Sequence, residues 1–358
     1  MMWKQFWSQD FRMVAVSILS TFFAFLLGGA IVFLVGENPF SVLKVFVESS
    51  LLSMDGIAYS LFYATPLLFT GISVAFAFRC GLFNVGSEGQ LYMGSIAAAI
   101  TALYFPNASA FLLIPLLFFV SFFVGGMWGL LPGYFKVKFG SHEVINTIMF
   151  NLIAYGICNY LVVIPFKRKG DQILETEFIP QAAHIFRMHE IFPFIKEEIP
   201  LNGSFFVAIF LLFAYWIFFK YSRFGYEMKA VGVSPKVADY AGIKAGGYII
   251  FAMFISGGFS GLIAVHEVMG FRYTFHDNFS RGVGFMGIAV ALLGRNHPVG
   301  IFFAALLFGM LNRGSLFLDI KFEHLSSDLV MVLQGIIILF VGMSGMFEKM
   351  LPKAHSKF

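Results

Sequence analysis

The sequence predicts an all-α, polytopic membrane protein of about ten transmembrane helices, several of them short or broken. Hydrophobic residues make up 59% of the 358 and charged residues only 12%, with a mean hydropathy of +0.82. Both shares lie well outside those of an ordinary soluble domain. Apolar windows near the ~20 residues that a crossing helix needs recur along the chain. They leave no room for a separate soluble domain. Residues 14–347 therefore read as one transmembrane domain, between a cytoplasmic N-terminal segment 1–13 and a cytoplasmic tail 348–358.

The chain opens with Lys4 and Arg12, followed by an apolar run from Met13 to Val35. No small-residue cleavage pattern follows it, so it reads as a retained first span, 14–35, rather than a signal peptide. Further spans are expected at 56–78, 88–105, 110–132, 144–165, 203–219, 247–266, 283–294, 298–313 and 328–347. The eighth is too short to cross about 30 Å of hydrocarbon as a straight helix. Two polar connections stand out: 166–202, rich in both charge signs, and 220–246, rich in lysine. With the N-terminus in the cytoplasm, the inner side collects 14 of the 24 Lys and Arg but six of the 20 acids, so the two sides carry about +8 and −4. That follows the positive-inside rule and places both termini inside. The outer cluster Lys167-Arg168-Lys169 stands against it.

Cys80 and Cys158 lie in or beside apolar segments, and no histidines share ligand spacing, so neither a disulfide framework nor a metal site is expected. The chain contains no Gly-x-x-x-x-Gly-Lys-Ser/Thr loop and is not itself an ATPase. No Ser-His-Asp constellation is apparent, which argues against a membrane enzyme.

The stretch RCGLFNVGSEGQLYMG, Arg79 to Gly94, interrupts two greasy segments with polar groups. Ser87-Glu88-Gly89-Gln90 fits the capping box Ser-x-x-Gln and predicts a helix start, with Glu88 at the positive end of the dipole. Gly81 and Gly86 permit turns, and Asn84 can bond a neighbouring main chain. Two placements follow: a wet cytoplasmic turn, or a turn below the interface whose polar groups face a translocation pathway. The apolar window after the box, Leu91 to Phe105, is only 15 residues, which favours a broken helix.

SRGVGFMGIAVALLGRNHPVG, Ser280 to Gly300, repeats the idea of a short span beside a Gly/Pro turn. Paired short segments point to a transporter binding region between two halves. In GSHEVINTIMFNLIAYG, Gly140 to Gly156, the spacing of Glu143, Thr147 and Asn151 makes one stripe of a helix, with Asn146 close by. Thr147 and Asn146 suit hydrogen bonding between packed helices; Asn151, deeper, suits a pathway. In the inner loop, Ser234-Pro235 is a helix start and Gly242 a stop. So short a helix is marginal alone. Val237, Tyr240, Ala241 and Ile243 offer an apolar surface for a peripheral partner, or Lys229, Lys236 and Lys244 hold the helix on anionic lipid.

GLFNVGSEGQLYMG, SHEVINTIMFNLIAYG, RFGYEMKAVGVSPKVADYAGI and GVGFMGIAVALLGRNHPVGIFFAALLFG together resemble the permease subunits of bacterial ABC importers in the simple-sugar and nucleoside branch, the nucleoside type most. The similarity runs over roughly 56–347. It implies an ABC importer permease fold in the bacterial inner membrane, working by alternating access. It also implies a second permease, identical or homologous, a cytoplasmic ABC ATPase that binds ATP and Mg, and an extracytoplasmic substrate-binding lipoprotein. This chain would carry no cofactor. The pathway would include Asn84, Ser87, Glu88, Gln90, Asn146, Asn151 and Phe285. Coupling to the ATPase would fall on Gly225, Glu227, Ala230, Gly232, Pro235, Asp239, Ala241 and Gly242, around a coupling helix at 235–241. The long outer loop and an irregular segment at 314–328 depart from the pattern. A riboflavin or simple-sugar importer of the same family, or an ion-coupled secondary transporter, are the alternatives.

Overall fold

The computed structural model describes residues 19, 21–170, 172–322, 325 and 328–343. The expected segments 1–13 and 348–358, and the start of the first span, lie outside these. Among the described residues the structure is helical, with no strand beyond three isolated bridges.

Helix α1 (Thr21–Leu34) and α2 (Pro39–Ser50) meet at 119°. α2 starts where Asn38 accepts from the Phe40 amide and proline occupies the first turn. α3 (Met54–Arg79) is capped by Ser53, and α4 (Ser87–Tyr104) follows the interrupted stretch. α5 (Ala110–Phe139) runs on through Pro132, where a span end was expected, and stops at Gly140 with φ +66. Neighbouring helices tolerate such a proline inside a membrane helix. α6 (Glu143–Val163) and α7 (Ser204–Tyr221) flank the outer loop. α8 (Arg223–Val233) and α9 (Pro235–Tyr240) make the inner loop. α10 (Ala245–Gly261) continues through α11 (Ile263–Glu267) and a π turn, Val268–Arg272, as one candidate span. α12 (Val283–Leu293), α13 (Pro298–Lys321) and α14 (Asp328–Gly342) complete the chain.

Among the described residues, six helices are long and apolar enough to cross a membrane, or seven if α1 and α2 form one bent span. α12 and α14 are shorter apolar helices, as 283–294 predicted for the first of them. Two expectations need correction. Residues 314–321 are not irregular but continue α13, because Leu316, Phe317 and Leu318 extend its apolar run and Gly314 lies against Phe46 of α2. The inner loop holds two helices, not one. α8 is the addition, started by Ser222, whose hydroxyl accepts from the Gly225 amide at 2.9 Å.

α3 and α10–α11 form the interior: 83% and 72% of their apolar windows are buried, against 28%, 22% and 28% for α5, α6 and α7. α5 meets α10 backbone to backbone. A Cβ at Gly261 would sit 2.2 Å from the Ser121 carbonyl oxygen, and one at Gly129 2.5 Å from that of Met253. Small residues permit this approach where no hydrophobic driving force separates helix from lipid.

The outer loop is ordered by the membrane helices beneath it. Thr176, Ile179 and Ile185 amides donate to the carbonyls of Phe275, Tyr273 and Met269 at 2.8–2.9 Å. Met188, Ile199 and Leu201 bury against Ala58 and Phe62 of α3, and Lys196 pairs with Asp55.

Candidate translocation site

Everything polar in the interrupted stretch converges on one buried seam. α3 ends at Arg79, Gly81 turns the chain with φ +72, and α4 begins at Ser87. The helix start is where the sequence predicts it, but the capping box does not form. Gly86 is the N-cap and no side chain caps the helix. The Ser87 hydroxyl instead meets that of Ser260 at 2.5 Å, and Gln90 turns to Asn84. These tertiary partners outcompete the local reciprocal bonds.

Asn84 and Gln90 form a face-to-face amide pair. The Asn84 Nδ2 donates to Gln90 Oε1 at 2.9 Å, and Gln90 Nε2 donates to Asn84 Oδ1 at 3.1 Å. Asn84 Oδ1 also accepts from the Gly86 amide, and Nδ2 donates to Ser256 Oγ at 2.7 Å. Ser256 Oγ reaches the Ser73 carbonyl at 2.7 Å, and Ser260 Oγ reaches Ser73 Oγ at 2.8 Å. Ser256 is the twelfth residue of α10, about 16 Å along its axis at ~1.5 Å per residue. The turn therefore packs against Ser256, part-way along the candidate span Ala245–Arg272.

Glu88 joins two helix ends. Its Oε1 accepts from Ser280 Oγ at 2.5 Å and its Oε2 from the Gly284 amide at 2.6 Å, in the first turn of α12. The carboxylate thus sits at two helix N-termini, its own and that of α12, where dipoles favour negative charge. A Cβ at Gly284 would lie 2.4 Å from the Glu88 amide nitrogen, so only glycine lets the two helix ends touch. On the other flank, Asn151 Oδ1 accepts from the Gly89 amide at 2.8 Å and Nδ2 donates to the Val85 carbonyl at 3.0 Å.

The structure brings Asn84, Ser87, Glu88, Gln90 and Asn151 together, each at most 2% exposed. Their polar groups are bonded to one another, to the hydroxyls of Ser256, Ser260 and Ser280, or to the main chain, so in this conformation the seam is closed. The stripe Glu143, Thr147 and Asn151 is buried on one face of α6. Thr147 Oγ1 donates back to Glu143 O at 2.8 Å, within its own helix. Asn146 lies apart, bonded to Ser141 Oγ at 2.6 Å. Phe285, one residue beyond Gly284, is 42% exposed. The sequence reading missed Ser73, Ser256, Ser260 and Ser280; the four-residue spacing of Ser256 and Ser260 in an apolar run was the available signal.

The second turn also joins here. Arg79 Nη2 donates to the Asn296 carbonyl at 2.7 Å, and so does the Tyr215 hydroxyl, at 2.7 Å. Arg295 and Asn296 both hold positive φ, 51 and 54.

In the 220–246 connection, Ser234 caps α9 by accepting from the Val237 amide at 3.4 Å, with Pro235 in the first turn, and Gly242 has φ +83 beyond it. Ala238 is buried while Val233, Val237 and Tyr240 are 88%, 65% and 94% exposed, an apolar knob with Pro235 and Ala241 also exposed. Asp239 Oδ1 accepts from the Ala245 amide at 2.9 Å and so ties α9 to α10. Half-buried Ala230 and buried Gly225 lie on α8. Glu227 accepts from the Tyr248 hydroxyl and pairs with Arg223 at 2.7 Å. These partners, Tyr248 first and Arg223 second, hold its carboxyl below the usual range. Among the described residues no group of His, Cys, Asp or Glu could hold a metal ion.

The model of the branched-chain amino acid transport system / permease component family matches residues 56–342. The nucleoside ABC transporter permease protein NupB of Lactococcus lactis is 34% identical over 96% of this chain and 95% of its own length. The guanosine ABC transporter permease protein NupP of Bacillus subtilis is 37% identical over 82% of each. The glucose ABC transporter permease protein TsgB13 of Haloferax volcanii is 28% identical over 93% of this chain and 88% of its own. No solved structure matches.

Proposed function

We propose that this chain, which belongs to the branched-chain amino acid transport system / permease component family, is the pore-forming permease of an ATP-driven nucleoside importer. The observation that carries the reading is the similarity to a nucleoside permease over nearly the whole of both chains. The chain is a multi-pass membrane protein, and the geometry supports a gate. Two helices, α4 and the short α12, meet end to end at the buried Glu88. Backbone broken within a membrane survives only where protein or a watery cavity surrounds it.

In this reading Asn84, Ser87, Glu88, Gln90 and Asn151 line the pathway when α4 and α12 part, and Phe285 offers an aromatic face at its outer edge. Their amides and hydroxyls suit a neutral, hydroxyl-rich solute. Force arrives at the exposed knob Val233, Val237 and Tyr240, which an ABC ATPase covers from the cytoplasm; ATP and Mg belong to that subunit. A second permease completes the pore, and an extracytoplasmic lipoprotein delivers solute to the outer loop. The termini and the knob then share the cytoplasmic side of the inner membrane.

Reconstitution of the complex in proteoliposomes tests this. ATP-dependent uptake of a labelled nucleoside is expected, and it should vanish when Tyr240 and Val237 are replaced by aspartate. Uptake by this chain alone, without the ATPase, refutes it. The 28% identity to a glucose permease favours a sugar as the second reading, and glucose competing out nucleoside uptake would select it.

A further inference from the structure

α12 is held at both ends. At its start the Ser280 hydroxyl and the Gly284 amide donate to the Glu88 carboxylate. At its finish the chain turns through Arg295 and Asn296, both with positive φ. The turn is bonded back onto the helix it follows: the Arg295 amide donates to the Leu292 carbonyl at 3.0 Å, that of Asn296 to Ala291 at 2.9 Å and that of His297 to Gly294 at 2.9 Å. Helix and turn are therefore one stiff piece, in which α12 alone spans 11 residues, about 16 Å.

That piece is gripped from outside at one main-chain atom. The Asn296 carbonyl accepts from Arg79 Nη2 at 2.7 Å and from the Tyr215 hydroxyl at 2.7 Å, while Arg79 Nε donates to the Tyr215 oxygen at 3.1 Å. The three groups close a ring of hydrogen bonds between α3, α7 and the turn. A basic residue in a helix's last turn ordinarily complements the dipole of its own helix. Arg79 ends α3 in that position, yet these side-chain bonds run to α7 and to the turn after α12. Two features mark the grip as a holding device. Two successive non-glycine residues at positive φ are backbone that persists only where its surroundings fix it. Asn296 Oδ1, moreover, is buried with no hydrogen-bond partner among the described residues. An acceptor left unpaired there belongs to a conformation held against its preference.

The main chain of Arg79 meets a different element. A Cβ on Gly232 of α8 would lie 2.6 Å from the Arg79 carbonyl oxygen. One residue thus touches α8 through its backbone and the turn after α12 through its side chain. We propose that Arg79 is a positioning residue for transport: it ties the end of α12 to the point where α8 bears on α3, so that α12 acts as a strut carrying displacement of α8 to the Glu88 contact. The inference rests on the ATP-driven reading above and not on which solute is carried. Arginine suits the role because its planar fork donates in two directions at fixed geometry, where an ammonium is a point charge on a flexible stem.

The test is uptake of labelled nucleoside per ATP hydrolysed, by the full complex with its receptor in proteoliposomes; glucose replaces the nucleoside if glucose is the solute carried. Arg79→Lys keeps the charge at the end of α3 but not the fork. It should lower uptake per ATP by about tenfold, the scale of one lost hydrogen bond from a charged donor, while ATPase binding and hydrolysis persist. Tyr215→Phe leaves Arg79 on the carbonyl and should give a smaller drop. If Arg79→Lys does not assemble, Tyr215→Phe carries the test alone. An unchanged ratio overturns the inference and leaves Arg79 as a complement to the α3 dipole. A proportional fall of uptake and hydrolysis also overturns it, and would mark a structural brace. ATP-independent uptake by wild type refutes the importer reading and this inference with it, an outcome distinct from ATP-driven uptake at an unchanged ratio.

Discussion

Gly81 and Gly232 touch backbone to backbone: a Cβ on Gly81 would lie 2.8 Å from the Gly232 carbonyl oxygen, and a Cβ on Gly232 2.6 Å from that of Arg79. One glycine opens the turn that carries Asn84 and leads into α4, and the other lies in the last turn of α8, two residues before the α9 cap. The end of α8 is thus joined to the interrupted stretch by direct main-chain contact, with no flexible side chain between them.

Gly232→Ala tests that contact. The new methyl meets backbone, so one of the two segments must shift, at about 1–3 kcal/mol. Gly242→Ala is the comparison: its φ of +83 carries strain, but nothing lies within 4 Å. The expected outcome is a larger fall in ATP-driven uptake for Gly232→Ala than for Gly242→Ala at equal ATPase binding. Equal effects would mean that the contact transmits nothing.

Glu88 should behave as a clamp. Glu88→Ala strips the acceptor from the Gly284 amide and leaves a buried hole, at about 2–4 kcal/mol. Glu88→Gln keeps one acceptor for Gly284, and Ser280 can rotate to accept from the new amide; only the charge at the helix ends is lost, at about 0.5–2 kcal/mol. Thermal denaturation of the purified protein should rank wild type above Glu88→Gln above Glu88→Ala.

What the sequence revealed and what it hid divides along local and tertiary lines. α9 was legible because Ser234, Pro235 and Gly242 punctuate it locally. α8 was not, because Gly225 and Gly232 are there for close packing against Phe218 and Arg79 and read as loop residues in the absence of those neighbours. Glu88 and Asn151 were visible as polar groups out of place in apolar runs. Ser73 and Ser256 were not, since a serine in a greasy helix has no local signature until its partner 183 residues away is known. The capping box failed for the same reason. Its hydroxyl had a better partner on α10.

The amide pair should show strong coupling. Removing Asn84 orphans both ends of the Gln90 amide as well as the Gly86 amide, each worth about 1–3 kcal/mol when buried. Removing Gln90 as well relieves much of that penalty. A double-mutant cycle of Asn84→Ala and Gln90→Ala, read by denaturation, should give a coupling of about 0.5–3 kcal/mol. Additive losses would mean that the pair does not act as a unit.

The outer loop should loosen in acid through His184. Its ring stacks on Tyr273 at 3.8 Å, and Nε2 lies 3.3 Å from the Ile179 carbonyl. Burial first of all, and Arg187 to a lesser extent, push its pKa below the ordinary value, partly offset by that carbonyl. A depressed folded pKa favours the neutral ring, so this contribution to stability is complete above the ordinary histidine value of ~6.5 and is lost as pH falls from there through the folded value. Protonation adds a charge beside Arg187 and against a ring wedged under the loop. Hydrogen exchange at the Ile179 and Ile185 amides, which bond Tyr273 and Met269, should therefore accelerate between pH 7.5 and pH 5 after correction for intrinsic rates. His184→Phe retains an aromatic stack without a titrating group, and exchange in that variant should be flat across the same range. Acceleration that survives the substitution would assign the effect to another group.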